Sequence, residues 1–422
     1  MAGTFSNRRA LKVLAAGIQE KMPYIMKAGS LFPQDYMKGR KYGMAVHGYL
    51  PDAGTVSDGL VAHPDKAHQV EVTAYVKNKN TAVEVDLWDE FTNIEDFKRE
   101  IVDKRSGKLA REVQLEIMRE NVFRSNQVVV KDTAGLKLLG EASSKLGELS
   151  VDGDRVDFQT ATVFEEIGDS TLKNFLPSET MKKIYDDCML GIYHSAAQVE
   201  LAGLPILDTT GMDAAPTISA EVVYDASSNV IGMKPINVAT GSGTGSLIAG
   251  VPYKLAGLKI VDESGIETNQ DYIVIINSEK RYDADGNVED VLYVPEIRIT
   301  ANGKGYGNPN AHIAASAIAA VTETVGSKKI ATFTLSAVLT ASHQYQIGQC
   351  RTIKSLSFDQ YRFDSLPAAK QDEVGTFKNI TLKMQSAPVL LNGVNCLRID
   401  FPWCAKLWEP RQSVTTYLDV TP

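Results

Sequence analysis

The sequence predicts an α+β protein with an all-β stretch set into it, and three observations carry that prediction. The run from Asp96 to Arg124, DFKREIVDKRSGKLAREVQLEIMRENVFR, is rich in charge yet keeps apolar residues at helical spacing. From Val70 to Leu87 apolar and more polar residues alternate, which is the period of a strand. From 220 to 340 the texture changes to short β-like runs separated by Gly-rich turns.

In chain order, residues 6–22 predict a short amphipathic helix with Leu11, Leu14, Ile18 and Met22 on one side, and Tyr42 to Leu50 predicts a strand. After the polar loop PDAGTVSDGL come Val70, Val72, Ala74 and Val76, then Asn78–Lys79–Asn80, then Val83, Val85 and Leu87. This pattern predicts a two-stranded ribbon turning at the Asn-Lys-Asn triplet. A lone ribbon is marginally stable in water, so it needs something to lean on.

Thr92-Asn-Ile-Glu95 fits a capping box at the start of the long helix. Unbroken to Arg124, that helix spans about 45 Å at 1.5 Å per residue. Gly107 is a candidate bend, Glu112–Glu116 a repelling pair and Lys108–Glu112 an attracting one. Leu136 to Leu149 predicts a second helix. DRVDFQTATVF predicts a strand and loop, and the stretch from Pro177 to Gly203 predicts helical segments. In the β stretch the runs are EVVYDA, YIVIINSE, VLYVPEIRIT and IATFTLSAVL, and Asp285–Gly286 marks a hairpin. After Thr340 the earlier style resumes, with alternation at Ile380, Leu382 and Met384 and at Leu397, Ile399 and Phe401, and an aromatic-rich end, DFPWCAKLWEP.

At 422 residues the chain has room for about two to four domains. Its 44% hydrophobic and 23% charged residues are those of a globular protein, and its formal charge of −8 argues against tight, sequence-independent gripping of nucleic acid. The four cysteines, Cys188, Cys350, Cys396 and Cys404, have no CxxC spacing and predict free thiols in a reducing compartment. The apolar patch from Val13 to Ile18 is too short for a signal peptide or a membrane span, so the expectation is a soluble, intracellular product.

No chemistry motif completes itself. GSGTGS at Gly241–Ser246 has Ser where a dinucleotide fingerprint needs its third Gly, and no Lys-Ser or Lys-Thr follows at P-loop spacing. DADGN at Asp283–Asn287 carries its Gly at the fourth position rather than the sixth, which favours a hairpin turn over a calcium loop. The six histidines are scattered. Cys188 and His194, six apart on a predicted helix, face different sides. Basic clusters at Arg8–Arg9, Lys38–Arg40–Lys41 and Lys104–Arg105 are short, and subunit contact is their functional alternative to a solvated face.

The order of these parts resembles a tailed-bacteriophage major capsid protein of the Hong Kong 97 fold, and more narrowly the coat proteins of short-tailed phages of the P-twenty-two type with an inserted β domain. The carrying stretches are YLPDAGTVSDGL with VEVTAYVKNKNTAVEVDLW, the long helix, YDDCMLGIYHSAAQVELAGLPIL before the β stretch, LAGLKIVDESG, VEDVLYVPEIRIT and YGNPNAHIAAS within it, and VNCLRIDFPWCAKLWEP at the end. Tyr306, Asn308 and Asn310 stand where that family has a Tyr-x-Asn-x-Asn run.

The resemblance implies an N-terminal arm at 1–41, an extended β loop at 42–88, and a peripheral domain with a spine helix at 89–132. It further implies an axial domain at 133–219, an inserted β domain at 220–340 and a C-terminal axial and peripheral part at 341–422. It implies no catalytic residue, cofactor or metal. Pentamers and hexamers of identical copies would form a scaffold-assisted procapsid in the host bacterial cytoplasm. The resulting icosahedral shell, the virion capsid, would enclose double-stranded DNA without sequence-specific binding. The implied partners are other copies, a scaffolding protein and a portal protein, and no membrane. The charged residues Arg40, Lys41, Asp58, Lys77 and Lys79 are the candidate inter-subunit contacts. The competing readings are another virion component, such as a tail or decoration protein, and an enzyme with a dispersed active site.

Overall fold

A computed structural model describes residues 21–29, 43–51, 69–86, 94–169, 192–224, 228, 230–241, 245–262, 265–282, 288–295, 297–300, 310–360, 371–377, 380–389 and 394–421. All but the last two residues of the expected helix over 6–22, the capping residues Thr92 and Asn93, and most of the stretch expected to be helical from Pro177 lie outside them.

In chain order, the short helix α1 (Pro23–Met26) precedes strands β1 (Ala45–Pro51), β2 (Gln69–Tyr75) and β3 (Lys77–Asp86). The long helix α2 (Ile94–Asn121) ends in a 3-10 turn at Val122–Arg124. Then come β4 (Val128–Lys131), α3 (Leu136–Glu148), β5 (Arg155–Gln159), α4 (Ala161–Asp169), β6 (Ile192–Tyr193), β7 (Ala196–Glu200) and β8 (Ile206–Asp208). The β-rich stretch holds β9 (Thr217–Tyr224), β10 (Val230–Ala239), β11 (Pro252–Val261), β12 (Glu267–Ile275), β13 (Asn277–Tyr282), β14 (Val288–Tyr293), β15 (Ile297–Thr300), β16 (Ala311–His312), α5 (Ala315–Ala319), β17 (Thr322–Val325) and β18 (Lys328–Ala337). The chain closes with β19 (Gln344–Thr352), β20 (Leu356–Asp359), β21 (Gln371–Phe377), β22 (Ile380–Val389), β23 (Val394–Leu407) and β24 (Ser413–Asp419). The fold is α+β, with many strands and few helices.

The chain divides into two compact units. The first is residues 1–48, 73–118 and 356–406. Its sheet runs β20-β23-β22-β21, and β3 pairs antiparallel with β23 from Lys77↔Trp403 to Asp86↔Val394. This corrects the expected ribbon. Asn78, Lys79 and Asn80 do not turn; they lie within β3, opposite Pro402, Phe401 and Asp400. The triplet has turn composition, but Asn78 Nδ2 donates to Asp400 Oδ1 at 2.9 Å, so its polar side chain is satisfied inside the sheet. The break falls at Val76 instead, and β2 pairs with β1 in a two-stranded sheet of their own. Val46, Ala74, Val76 and Cys404 form a small buried cluster at that break.

On α2 the apolar stripe is real. Leu109, Ala110, Val113, Ile117 and Met118 are buried, at the 3–4 residue spacing of one helix face, and the helix is continuous through Gly107.

The second unit is residues 49–72, 119–355 and 407–422. Its seven-stranded sheet runs β4-β24-β19-β5-β7-β6, with β8 also on β19. The last carbonyls of the α2 helix and its 3-10 turn, which have no helical partner, meet side chains instead. Asn121 O accepts from Gln349 Nε2 at 3.2 Å, Val122 O from Thr415 Oγ1 at 2.6 Å, and Phe123 O from Asn277 Nδ2 at 3.2 Å.

Two expectations fail here for local reasons. Residues after Thr160 form α4 rather than a loop. The end of the stretch expected to be helical, IYHSAAQVE, is the β6–β7 hairpin, turned by His194 and Ser195 at φ 50° and 66°. That two-residue turn needs positive φ at both positions, and His-Ser does not announce it as Asn-Gly would.

From Thr217 to Ala337 the strands form an eight-stranded sheet, β12-β11-β16-β15-β10-β9-β18-β17, and an extra β11–β18 pairing closes its central strands on themselves. Ile218, Ala220, Val222, Leu255, Ile260, Ile299, Phe333 and Leu335 are among its buried residues, so the closed sheet is packed with side chains. The strands on either side of the expected Asp285–Gly286 turn do pair, β13 with β14 from Asn277↔Tyr293 to Tyr282↔Val288, while the turn residues lie outside the described residues.

Candidate functional site

The sequence nominates five charged residues, of which Arg40, Lys41 and Asp58 lie outside the described residues. Lys77 and Lys79 both sit on β3, two residues apart and so on one face of the strand. Opposite them, Glu112 and Glu116 are one helical turn apart on α2. Lys79 Nζ lies 2.9 Å from Glu116 Oε2 and 3.6 Å from Glu112 Oε2, and it also donates to Glu112 O at 3.2 Å. Lys77 Nζ is 3.9 Å from Glu116 Oε1. The two glutamates that look repulsive in the sequence are therefore a bidentate seat for lysines of the neighbouring strand. Arg105 Nη1 adds a bond to Ala82 O at 2.6 Å.

The members of this clamp differ in setting. Lys77 and Glu116 are buried, whereas the Lys79 side chain is 31% and the Glu112 side chain 52% exposed. The outer pair is the part with charge still open to solvent.

A second charged cluster escapes sequence reading. Glu409, fully buried after β23, takes two bonds from Arg298 Nη2 of β15, at 3.2 and 3.1 Å, and one from Arg411 Nε at 3.2 Å. Burial pushes the Glu409 carboxyl up, but the guanidinium groups of Arg298 and Arg411 outweigh it and hold the group below its usual range. Arg411 Nη1 also donates to Asp262 O at 2.7 Å. Asn310, the described member of the Tyr-x-Asn-x-Asn run, is buried beside this cluster. Its Oδ1 accepts from Arg298 N, its own N donates to Arg298 O, and its O accepts from Val261 N. The asparagine thus ties β11 to β15.

Of GSGTGS, the described residues Gly241, Gly245 and Ser246 approach another backbone closely. Gly241 N donates to Asp213 Oδ2, Asp213 N donates to Ser246 O, and Ser246 N donates to Gly211 O. A Cβ on Gly245 would sit 2.5 Å from Asp213 Cα, and one on Gly241 2.3 Å from Ala215 O. These glycines serve backbone contact with the Asp213 turn.

The described histidines are dispersed. His47 meets Thr73, His312 meets Glu267 at 2.8 Å, and His343 meets Asp419 at 2.6 Å. His194 is in a hairpin turn rather than on a helix. Cys350 and Cys404 are buried and not in disulfides, and burial raises the Cys350 thiol well above its ordinary value. Among the described residues no group of three or more His, Cys, Asp or Glu is placed to hold a metal ion, and no helix is long and apolar enough to cross a membrane.

Comparison with protein-family models and with characterised proteins returns no match. Among solved structures the chain is similar to bacteriophage capsid proteins over more than nine-tenths of its length. The capsid of cyanophage P-SCSP1u is 8% identical with a TM-score of 0.44, over 93% of this chain and 89% of that one. The capsid protein of Helicobacter pylori bacteriophage KHP30 is 8% identical with a TM-score of 0.44, over 95% and 91%. The capsid of Ralstonia phage GP4 is 6% identical with a TM-score of 0.44, over 92% and 87%. At TM-scores below 0.5 these likenesses do not establish a common fold.

Proposed function

We propose that this chain is a major capsid protein, a structural subunit that assembles with copies of itself into the shell of a tailed phage. The observation that carries the reading is the β1–β2 ribbon: two strands in a sheet of their own, set before a 28-residue helix. Such a ribbon is marginal by itself, and a neighbouring copy in a shell supplies the surface it needs. The clamp from α2 to β3 supports the same reading, because it makes the long helix a bar braced on a sheet.

In the finer form of the proposal the copies form pentamers and hexamers around a scaffolding protein and then enclose double-stranded DNA delivered through a portal. The P-twenty-two-type subfamily rests on the order of sequence parts, with the β stretch at 220–340 as the inserted domain. Arg40, Lys41, Asp58 and Lys79 are the inter-subunit candidates; Lys77 is the weakest, being buried against Glu116. The test is expression with and without a scaffolding protein, followed by sedimentation and negative-stain microscopy. Closed particles or large rings are expected. A chain that stays monomeric at high concentration, with scaffold present, overturns the proposal.

A further inference from the structure

Asp157 lies in the middle of β5 with its side chain fully buried. Its surroundings hold no cation in contact with it among the described residues. On its own strand, Arg155 is committed to Ser143 O at 2.9 Å and Val151 O at 3.1 Å. From β19, Cys350 stands opposite in register, while Arg351 belongs to the other face and lies over the Phe158 ring. From β7, Gln198 is the register partner and Glu200 is exposed at the strand end. From β24, Thr416 Oγ1 accepts from Gln159 Nε2. The charged residues of α3 are Lys137, Glu141, Lys145 and Glu148. Lys137 is exposed, Lys145 donates to Val128 O, Glu141 pairs with Lys131 and Glu148 accepts from Gln270.

Among the described residues one donor bonds the carboxyl directly: Gln159 Nε2 lies 2.8 Å from Asp157 Oδ1. Asp157 Oδ2 has no partner among the described residues, and neither does Gln198 Oε1, although Gln198 acts on the Asp157 carboxyl from the paired strand. Gln198 Nε2 is already used, donating to Ala196 O at 3.2 Å. Two buried acceptors on paired strands, both unmatched, are costly as they stand, and one proton between them satisfies both.

We propose that Asp157 is a neutral carboxylic acid in the folded chain, that its O–H donates to Gln198 Oε1, and that losing this proton loosens the seven-stranded sheet. The device is pH-sensitive in a definite direction. Burial, against the lowering influence of the Gln159 and Gln198 side chains, pushes the Asp157 carboxyl up from 3.8 to about 7. A group raised in the folded state stabilises fully below its unfolded value, and that stability is lost as pH rises through the folded one. The folding equilibrium therefore weakens between pH 4 and 7, by roughly a thousandfold if this group acts alone, and is level above that window.

The test is infrared spectroscopy of the full chain labelled with carboxyl-13C aspartate, titrated from pH 5 to 9, beside the variant Asp157→Asn. The expected result is a protonated-aspartate band that shifts with the label, disappears with a midpoint near neutral pH and is absent from the variant. The variant amide can donate to Gln198 Oε1 but cannot ionise, so its unfolding midpoint should lose the decline between pH 4 and 7. A folded wild type without such a band below pH 6 means an ionised carboxylate served by a flipped Gln198 amide, and it overturns the proposal whether or not the variant folds. A folded variant that keeps the wild-type pH slope overturns it as well.

Discussion

Among the described residues, a charge cluster in one compact unit and another in the second both hold strands, and the same residue chemistry works in opposite regimes. The Lys77, Lys79, Glu112 and Glu116 clamp grades from buried to open water across a single helical turn. The Arg298, Glu409 and Arg411 cluster is buried throughout. In water a pair gains little, because solvent serves each charge almost as well. In the interior the pair itself adds little net stability over apolar side chains, yet removing one member strands the others. The clamp is therefore adjustable at its outer edge, and the buried cluster is all-or-none.

Breaking the buried cluster gives the largest expected effect. Glu409→Gln removes the carboxylate that two buried guanidinium groups share and should lower stability by roughly 3–5 kcal/mol, read from the shift in urea midpoint at constant slope. Replacing Arg298, Glu409 and Arg411 together by apolar residues of similar size should cost far less, which separates stranding from loss of attraction. The wild type should also weaken in acid. Glu409 is depressed below its ordinary value of 4.5, so the stability it contributes is present above that value and is lost as pH falls through the folded one. Equal losses in the single and triple variants would mean that the charges were never the issue.

Next comes the helix that carries the clamp. Leu109 is 5% exposed on the buried stripe of α2. Leu109→Asp places an unpaired carboxylate there and should cost about 3–5 kcal/mol, enough to abolish folding or particle assembly. Normal particles from this variant would show that the stripe is not packed.

The contrast between the clusters also marks what could be read from sequence. The long helix was legible because its stripe repeats every 3–4 residues over many turns, and the pairing of β13 with β14 because the two β-like runs are neighbours in the sequence. The partner of β3 was not legible: Asn78 meets Asp400 across 322 residues, and nothing local distinguishes a paired Asn-Lys-Asn from a turning one. Lys77 and Lys79 were nominated as inter-subunit contacts, and their glutamate seat within the chain appears only once α2 and β3 are set side by side. The buried cluster left one signal that went unused. Glu409 and Arg411 stand directly after an aromatic-rich run, where a charge is expensive unless another charge meets it. Asp157 left none, since an alternating Arg-Val-Asp-Phe-Gln looks like any half-exposed strand.

A smaller effect is expected at the glycine loop. Gly245→Ala puts a Cβ against the Asp213 backbone, which cannot swing aside as a long side chain can. About 1–3 kcal/mol should be lost, seen as a lower melting temperature. A neutral result would return the loop to the status of an open, uncommitted turn.

The smallest effect is the most informative about the clamp. A double-mutant cycle between Lys79 and Glu112 should give a coupling below about 1 kcal/mol, falling further in high salt, because both side chains reach solvent. The same cycle between Lys79 and Glu116 should give the larger value, since Glu116 is 9% exposed and lies closer. If the order is reversed in the isolated chain, the geometry of the clamp is wrong. If it holds there but the Glu112 coupling grows on assembly, then the exposed half of the clamp is being desolvated by another copy. That would make Lys79 an inter-subunit residue through the pair it already has within its own chain.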